Sequence, residues 1–168
     1  WVGVASAALY IIFPMALVYD RMALYDSLVG TFAVWSLYLE VLLIRRLRLD
    51  VALILGMVAG GGVLTKTSGF FSLYLLPSTL LLFDFGKKTS SRLIRWALFS
   101  LFAVIMTYAY YSVLRLSPFF HIVDDKNSIF VYPLHDWISH PFNFLWGNLL
   151  GQCDWFIRYT TWPIIGLM

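Results

Sequence analysis

The sequence predicts an all-α fold, a polytopic transmembrane helix bundle, and three observations predict it. Of 168 residues, 61% are hydrophobic and 12% charged, against roughly 45–50% apolar and about 25% charged in an ordinary soluble domain. The apolar residues come in runs of about 18–22, the length at which a helix rising about 1.5 Å per residue crosses a hydrocarbon core of about 30 Å. Short connections between the runs carry most of the charge, and their basic residues alternate in number from one connection to the next.

About five complete spans and one truncated span follow in order. The first, residues 1–19, is "WVGVASAALYIIFPMALVY", and the second, 27–44, begins after "DRMALYD". The third, 51–65, is short and carries Gly56, Gly60, Gly61 and Gly62, a composition that lets a helix approach a neighbour closely rather than face lipid. The fourth covers 69–85 and the fifth 93–114, and the truncated one starts near Tyr159. Pro14 and Pro77 are the interior prolines of the complete spans. Without an internal repeat or low-complexity linker, residues 1–168 read as one membrane domain. The chain starts at Trp1 and ends in the apolar run "YTTWPIIGLM", so an internal piece of a longer protein is expected.

Orientation follows from Lys and Arg, which stay on the cytoplasmic side during insertion. "RRLRLD" (45–50) holds three and "GKKTSSRLIR" (86–95) four, whereas "DRMALYD" and "LTKTSG" (64–69) hold one each. The first two connections are therefore placed inside. The other two lie outside, together with an outer-side loop over 115–158 whose Trp137, Trp146 and Trp155 favour the headgroup layer. Interfacial helices are expected there, for instance around 141–150 after Pro141. The one cysteine, Cys153, has no internal disulfide partner and leaves the redox compartment open.

Several residues carry chemistry. Arg21 and Asp26 are five apart, about 140° around a regular helix, so a loop or a helix end must place them. A solvated turn, with Arg21 reaching headgroup phosphates, accounts for both equally well. "GGGVLTKTSG" nearly matches a phosphate loop, but Thr65 stands where the second glycine belongs, and the segment follows a membrane helix instead of a strand. ATP binding is therefore rejected. What remains is Lys66 with hydroxyls at Thr65, Thr67 and Ser68, a set that binds phosphate by charge and hydrogen bonds, or an ordinary snorkelling lysine. Glu40 is expected near the inner interface, paired with Arg45 or Arg46, and Asp84 beside Lys87 and Lys88. His121, Asp124, Asp125, His135, Asp136 and His140 lie in the outer loop without a compact ligand spacing; a divalent metal site there is weakly signalled, and solvated carboxylates are the commoner case.

Taken in order, the outer R-x-x-x-x-D (Arg21 to Asp26) and, two spans later, a glycine-rich helix ending in Leu64-Thr65-Lys66 resemble the GT-C glycosyltransferases. Within them the nearest likeness is to the family 39 group, with dolichyl-phosphate-mannose protein mannosyltransferases and aminoarabinose transferases. "RLSPFFH" and "VYPLHDWISHP" also look like its bacterial members, and the resemblance covers most of residues 1–115. It implies transfer of a sugar from a polyprenyl-phosphate carrier to a hydroxyl acceptor in a protein, lipid or glycan, outside the cytoplasm, in a bacterial plasma membrane. No nucleic acid and no certain cofactor beyond the lipid-linked sugar are implied. The catalytic acid of such enzymes follows their first span and would precede Trp1. By carry-over Lys66 and Arg21 bind the carrier phosphate, with Asp26 and Thr65 supporting them. A multispan transporter or flippase for a lipid or amphiphile is the alternative, and a non-catalytic membrane scaffold is a third reading.

Overall fold

A computed structural model describes residues 1–22, 25–86, 89–130, 133–140, 142, 145–160 and 165–166, without the side chains of 15, 19, 124, 127, 129, 130, 134 and 137. The predicted Lys87 and Lys88, Pro141, most of the last span, and the side chains of Asp124 and Trp137 lie outside the described residues. Among the described residues all regular structure is helical. Two helices, Tyr25–Arg46 and Thr89–Leu116, are long and apolar enough to cross a membrane. The chain forms two compact units, Trp1–Ala23 with Phe119–Met168, and Leu24–Pro118.

In the first unit, the predicted span 1–19 is two helices, α1 (Val2–Ile12) and α2 (Pro14–Arg21). Pro14 is the cause: its ring forces the preceding residue out of the helical region, and Phe13 is extended at φ −67°, ψ 115°. Then come α7 (Phe120–Phe130), α8 (Leu134–Ser139) and α9 (Leu145–Thr160), in the segment where interfacial helices were expected. On α9 six exposed apolar residues, Leu145, Trp146, Leu149, Leu150, Phe156 and Ile157, fall within about 140° of arc at 100° per residue, with the exposed Trp155 and Tyr159 outside it. Asp154 and Arg158 pair at 2.8 Å on the opposite side.

The second unit is built around α3 (Tyr25–Arg46), α4 (Leu49–Thr65) and α6 (Thr89–Val113). On α3 the buried residues are Ser36, Leu39, Glu40, Leu43 and Ile44, the i, i+3, i+4, i+7, i+8 stripe of a helix burying one face. Leu39 and Leu43 meet Val51, Ala52 and Leu55 of α4, Ala103 of α6, and Leu76. Glycine sets the spacing of α4, as expected from its composition. A β-carbon on Gly56 would stand 2.6 Å from Cβ of Met106, and one on Gly60 2.8 Å from Cβ of Tyr110, both on α6. On the other flank, a β-carbon on Gly61 would stand 2.7 Å from the ring of Phe32 on α3. At 17 residues α4 is about 25 Å long, under the usual hydrocarbon thickness.

The predicted fourth span departs most from expectation. It is a 3-10 turn at Thr67–Phe70, one short α-helix, α5 (Phe71–Leu75), and a second 3-10 stretch at Leu76–Leu82. Pro77 has no N–H to continue the α ladder, and Thr79 and Ser78 hydroxyls donate back to the Leu76 and Leu75 carbonyls at 2.7 and 2.6 Å. Phe70 anchors the start of the segment on α6, 5.3 Å from the ring of Tyr108 and 5.2 Å from that of Tyr111.

Candidate functional site

The chain stops being α-helical at Thr65 and turns at Lys66, whose backbone is extended at φ −160°, ψ 142°. Three hydrogen bonds fix the turn. The Lys66 N–H donates to the Gly62 carbonyl at 3.1 Å, the Gly69 N–H donates to the Lys66 carbonyl at 2.8 Å, and the Thr65 hydroxyl donates to the Gly61 carbonyl at 2.8 Å. Gly69 then lies directly on the Gly62 backbone, where a β-carbon would have no room. The Lys66 side chain is thrown off the helix end, about half exposed.

Lys66 reaches α3. Its ammonium donates to the Asp26 carboxylate at 2.5 Å, joining residues 40 apart in sequence. Asp26 sits in the first turn of α3, where the helix dipole favours a negative charge. Both side chains are about half exposed. Such a pair contributes little stability, about 0–1 kcal/mol, so it leaves the ammonium open to exchange with another anion.

The resemblance made Asp26 a support for Lys66 and Arg21; in the structure its carboxylate is paired with Lys66. Arg21 ends α2, in the other unit, and is exposed, with its charge at a helix C-terminus where a cation is favourable. Thr65 is held by its own helix, so its hydroxyl hydrogen is committed to Gly61 and it serves the turn.

One expectation for the charges assigned to the inner side changes, that for Glu40, while Lys87 and Lys88 lie outside the described residues. Asp84 pairs with Arg92 at 3.2 Å, and the Arg92 guanidinium lies 5.3 Å from the Phe83 ring centre. Glu40 is not paired with Arg45 or Arg46. It is 1% exposed, and neither carboxylate oxygen has a hydrogen-bond partner among the described residues. The helical stripe explains this: residue 40 falls on the buried face of α3 with Ser36, whose hydroxyl is also buried without a partner among the described residues. Arg45 and Arg46 are both exposed at the helix end. Arg48 instead grips Asp50, at 2.6 and 3.0 Å. These hydrogen bonds hold the Asp50 carboxyl below its usual range and raise the guanidinium.

Among the described residues no three His, Cys, Asp or Glu side chains gather into a metal-holding group. His135 lies 3.6 Å from its neighbour Asp136, and His140 contacts the Ser139 hydroxyl at 3.1 Å. No family model matches the chain, and no curated protein or solved structure matches it either.

Sequence reasoning found Lys66 and Asp26 separately but not their contact. It missed Gly69, whose role depends on a backbone approach that no local pattern announces, and it misread Glu40. The i, i+4 pairing of Ser36 with Glu40 inside an apolar stripe was the available signal.

Proposed function

We propose that the chain is part of a polyprenyl-phosphate-sugar-dependent glycosyltransferase of the GT-C type, similar to the family 39 group. On this reading it is a multi-pass bundle in a bacterial plasma membrane with its active site facing outward. The observation that carries the reading is the Asp26–Lys66 ion pair, because it joins the two separate sequence motifs on which the resemblance rests. The large apolar side chains left exposed on α3 and α6, among them Val34, Trp35, Leu98, Leu101 and Ile105, suit lipid-facing helices. Displacing a carrier phosphate from an anomeric carbon builds negative charge on the leaving phosphate. An ammonium aimed at that charge lowers the barrier, since it binds more strongly as charge develops. Lys66 has the required exposure, with Asp26 holding it until the carrier arrives; the role of Arg21 as a second cation rests on the resemblance alone. The catalytic acid is assigned to a segment before Trp1, and any divalent metal, the sugar and the acceptor are left to the intact protein.

The test is sugar transfer from a polyprenyl-phosphate donor by the intact protein. Lys66→Ala is expected to slow turnover by about 10²-fold, the scale seen when one donor to a developing anion is lost, and Lys66→Arg to restore part of it. Wild-type turnover in a Lys66→Ala, Arg21→Ala double variant would refute both assignments.

A second reading, a transporter or flippase for an amphiphile, is favoured by the buried unpaired Glu40 and by the broken segment Thr67–Leu82. Intramembrane carboxylates and interrupted helices mark translocation paths. Movement of a labelled lipid across proteoliposomes that lack any sugar donor would select this reading.

A further inference from the structure

A groove with about 220 Å³ of space runs beside α3, walled on the other side by Ser68, Gly69, Phe71, Ser72 and Leu75. The α3 wall is Val29, Ala33, Leu37 and Glu40, with Val34 beside them. The spacing i, i+4, i+8, i+11 follows one helical face for about 16 Å. Among the side chains that line the groove, those of Ser68, Ser72 and Glu40 are polar, with Glu40 at the far end of the α3 wall from Val29. Glu40 is 1% exposed, and neither oxygen of its carboxyl has a hydrogen-bond partner among the described residues.

On its own helix Arg45 and Arg46 are exposed at the end, and several other charges of this unit are engaged elsewhere. Asp50 on α4 is held by Arg48, Arg92 on α6 by Asp84, and Lys66 by Asp26. The segment Thr67–Leu82 contains no Lys, Arg, His, Asp or Glu. Glu40 also stands 14 residues along α3 from Asp26, about 21 Å, so it is distinct from the Lys66 site.

A buried carboxyl without a donor carries a desolvation cost that no described residue offsets. An occupant that supplies the donor recovers it. We propose that this groove binds a lipid-soluble amphiphile that lays an apolar body along Val29 to Leu37 and presents one ammonium or hydroxyl donor to Glu40. The site is charge-complementary at one end only, so it selects for a single donor on an apolar chain. Its volume suits a small ligand rather than a helix, which is about 10–12 Å across with its side chains. The inference does not depend on the glycosyltransferase reading.

The experiment uses the intact protein in nanodiscs and reads modification of the Glu40 peptide by mass spectrometry. Dicyclohexylcarbodiimide enters from the lipid phase. The carboxyl proton moves to one of its nitrogens, the carboxyl oxygen bonds to its central carbon, and acyl migration leaves an N-acylurea that retains every atom of the reagent. Labelling is expected at Glu40 and much less with a water-soluble carbodiimide. Dodecylamine or dodecanol should protect several-fold, and dodecane should not; the stronger of the two protectors shows whether the donor is charged or neutral. Leu37→Trp, which fills the groove without touching the carboxyl, should reduce labelling while the fold persists, and Glu40→Gln should abolish it. Equal labelling by the water-soluble reagent, or no labelling by either, overturns the proposal. So does protection by dodecane equal to that by the amine and the alcohol, or no protection by any of them. Labelling that appears only after extraction from native membranes shows that a protein helix fills the groove, and overturns it as well.

Discussion

Replacing Gly69 by alanine is the sharpest test of how the Lys66 turn is built. A β-carbon at position 69 would fall on the carbonyl carbon, the oxygen and the next amide nitrogen of the Gly62–Val63 peptide. These are backbone atoms in a helix, so no rotamer change relieves the clash and the turn must lift off α4. Gly69 has no positive φ, so alanine is not penalised for its own backbone conformation and the whole effect is steric. Overpacking of this kind costs about 1–3 kcal/mol. Moving the turn also strains the 2.8 Å bond from the Gly69 N–H to the Lys66 carbonyl.

Two companion variants make the reasoning refutable. Gly62 faces Gly69, yet a β-carbon on it would stand 3.1 Å from Cβ of Phe32 and 4.0 Å from Cα of Gly69. Gly62→Ala should therefore cost well under half of what Gly69→Ala costs. Gly30, exposed on α3, has nothing within 4 Å of its missing β-carbon, and Gly30→Ala should stabilise by about 0.5–1 kcal/mol through helix propensity alone. The assay is reversible unfolding in mixed micelles for all three variants. A Gly69→Ala protein as stable as Gly62→Ala would show that the turn does not rest on this backbone contact.

Three further outcomes are expected. Thr107 on α6 donates to the carbonyls of Ala103 at 3.0 Å and Gly56 at 3.3 Å, fully buried; Thr107→Val should cost about 0.6 kcal/mol, typical of a hydrogen bond between membrane helices, in the same unfolding assay, with Thr107→Ser recovering it. The Arg48 hydrogen bonds hold the Asp50 carboxyl below its unfolded value, which is about 3.9. Its contribution is therefore complete above that pH and is lost as pH falls through the folded value, so Arg48→Ala should flatten the acid limb of a stability–pH curve. Cys153 is exposed on the apolar side of α9; a polarity-sensitive thiol probe there should report a lipid-like environment in vesicles that Leu149→Asp makes water-like.

Helices α3, α4 and α6 were legible because each carries its own boundary signals and an apolar run long enough to compete with any local irregularity. Spans 27–44, 51–65 and 93–114 match them to within a few residues. The other two complete spans were read too simply, for one physical reason. Apolarity measures preference for lipid or core, whereas helix continuity depends on each residue's backbone, and Pro14 and Pro77 interrupt the ladder without lowering the apolar count. The site was legible as residue types but not as partners. Charge counting put Asp26 and Lys66 on one side, yet only the turn closed by Gly69 on Gly62 brings the ammonium to 2.5 Å from the carboxylate.

The pairing also changes what Lys66 must do under the proposed chemistry. A free lysine at a helix end would attract any headgroup phosphate from the surrounding lipid. Lys66 is instead engaged by Asp26, whose exchange costs about 0–1 kcal/mol because both groups are half in contact with solvent. A monoanionic headgroup replacing the carboxylate therefore gains little, since one negative charge is traded for another. A carrier phosphate whose leaving oxygen gains charge in the transition state gains more, because its attraction to the ammonium grows as the reaction proceeds. Asp26 on this account is neither a base nor a structural brace. It sets a threshold that a ground-state phosphate barely passes and a departing one passes easily, and the glycine contact that holds Lys66 in reach of both is what makes the threshold reproducible.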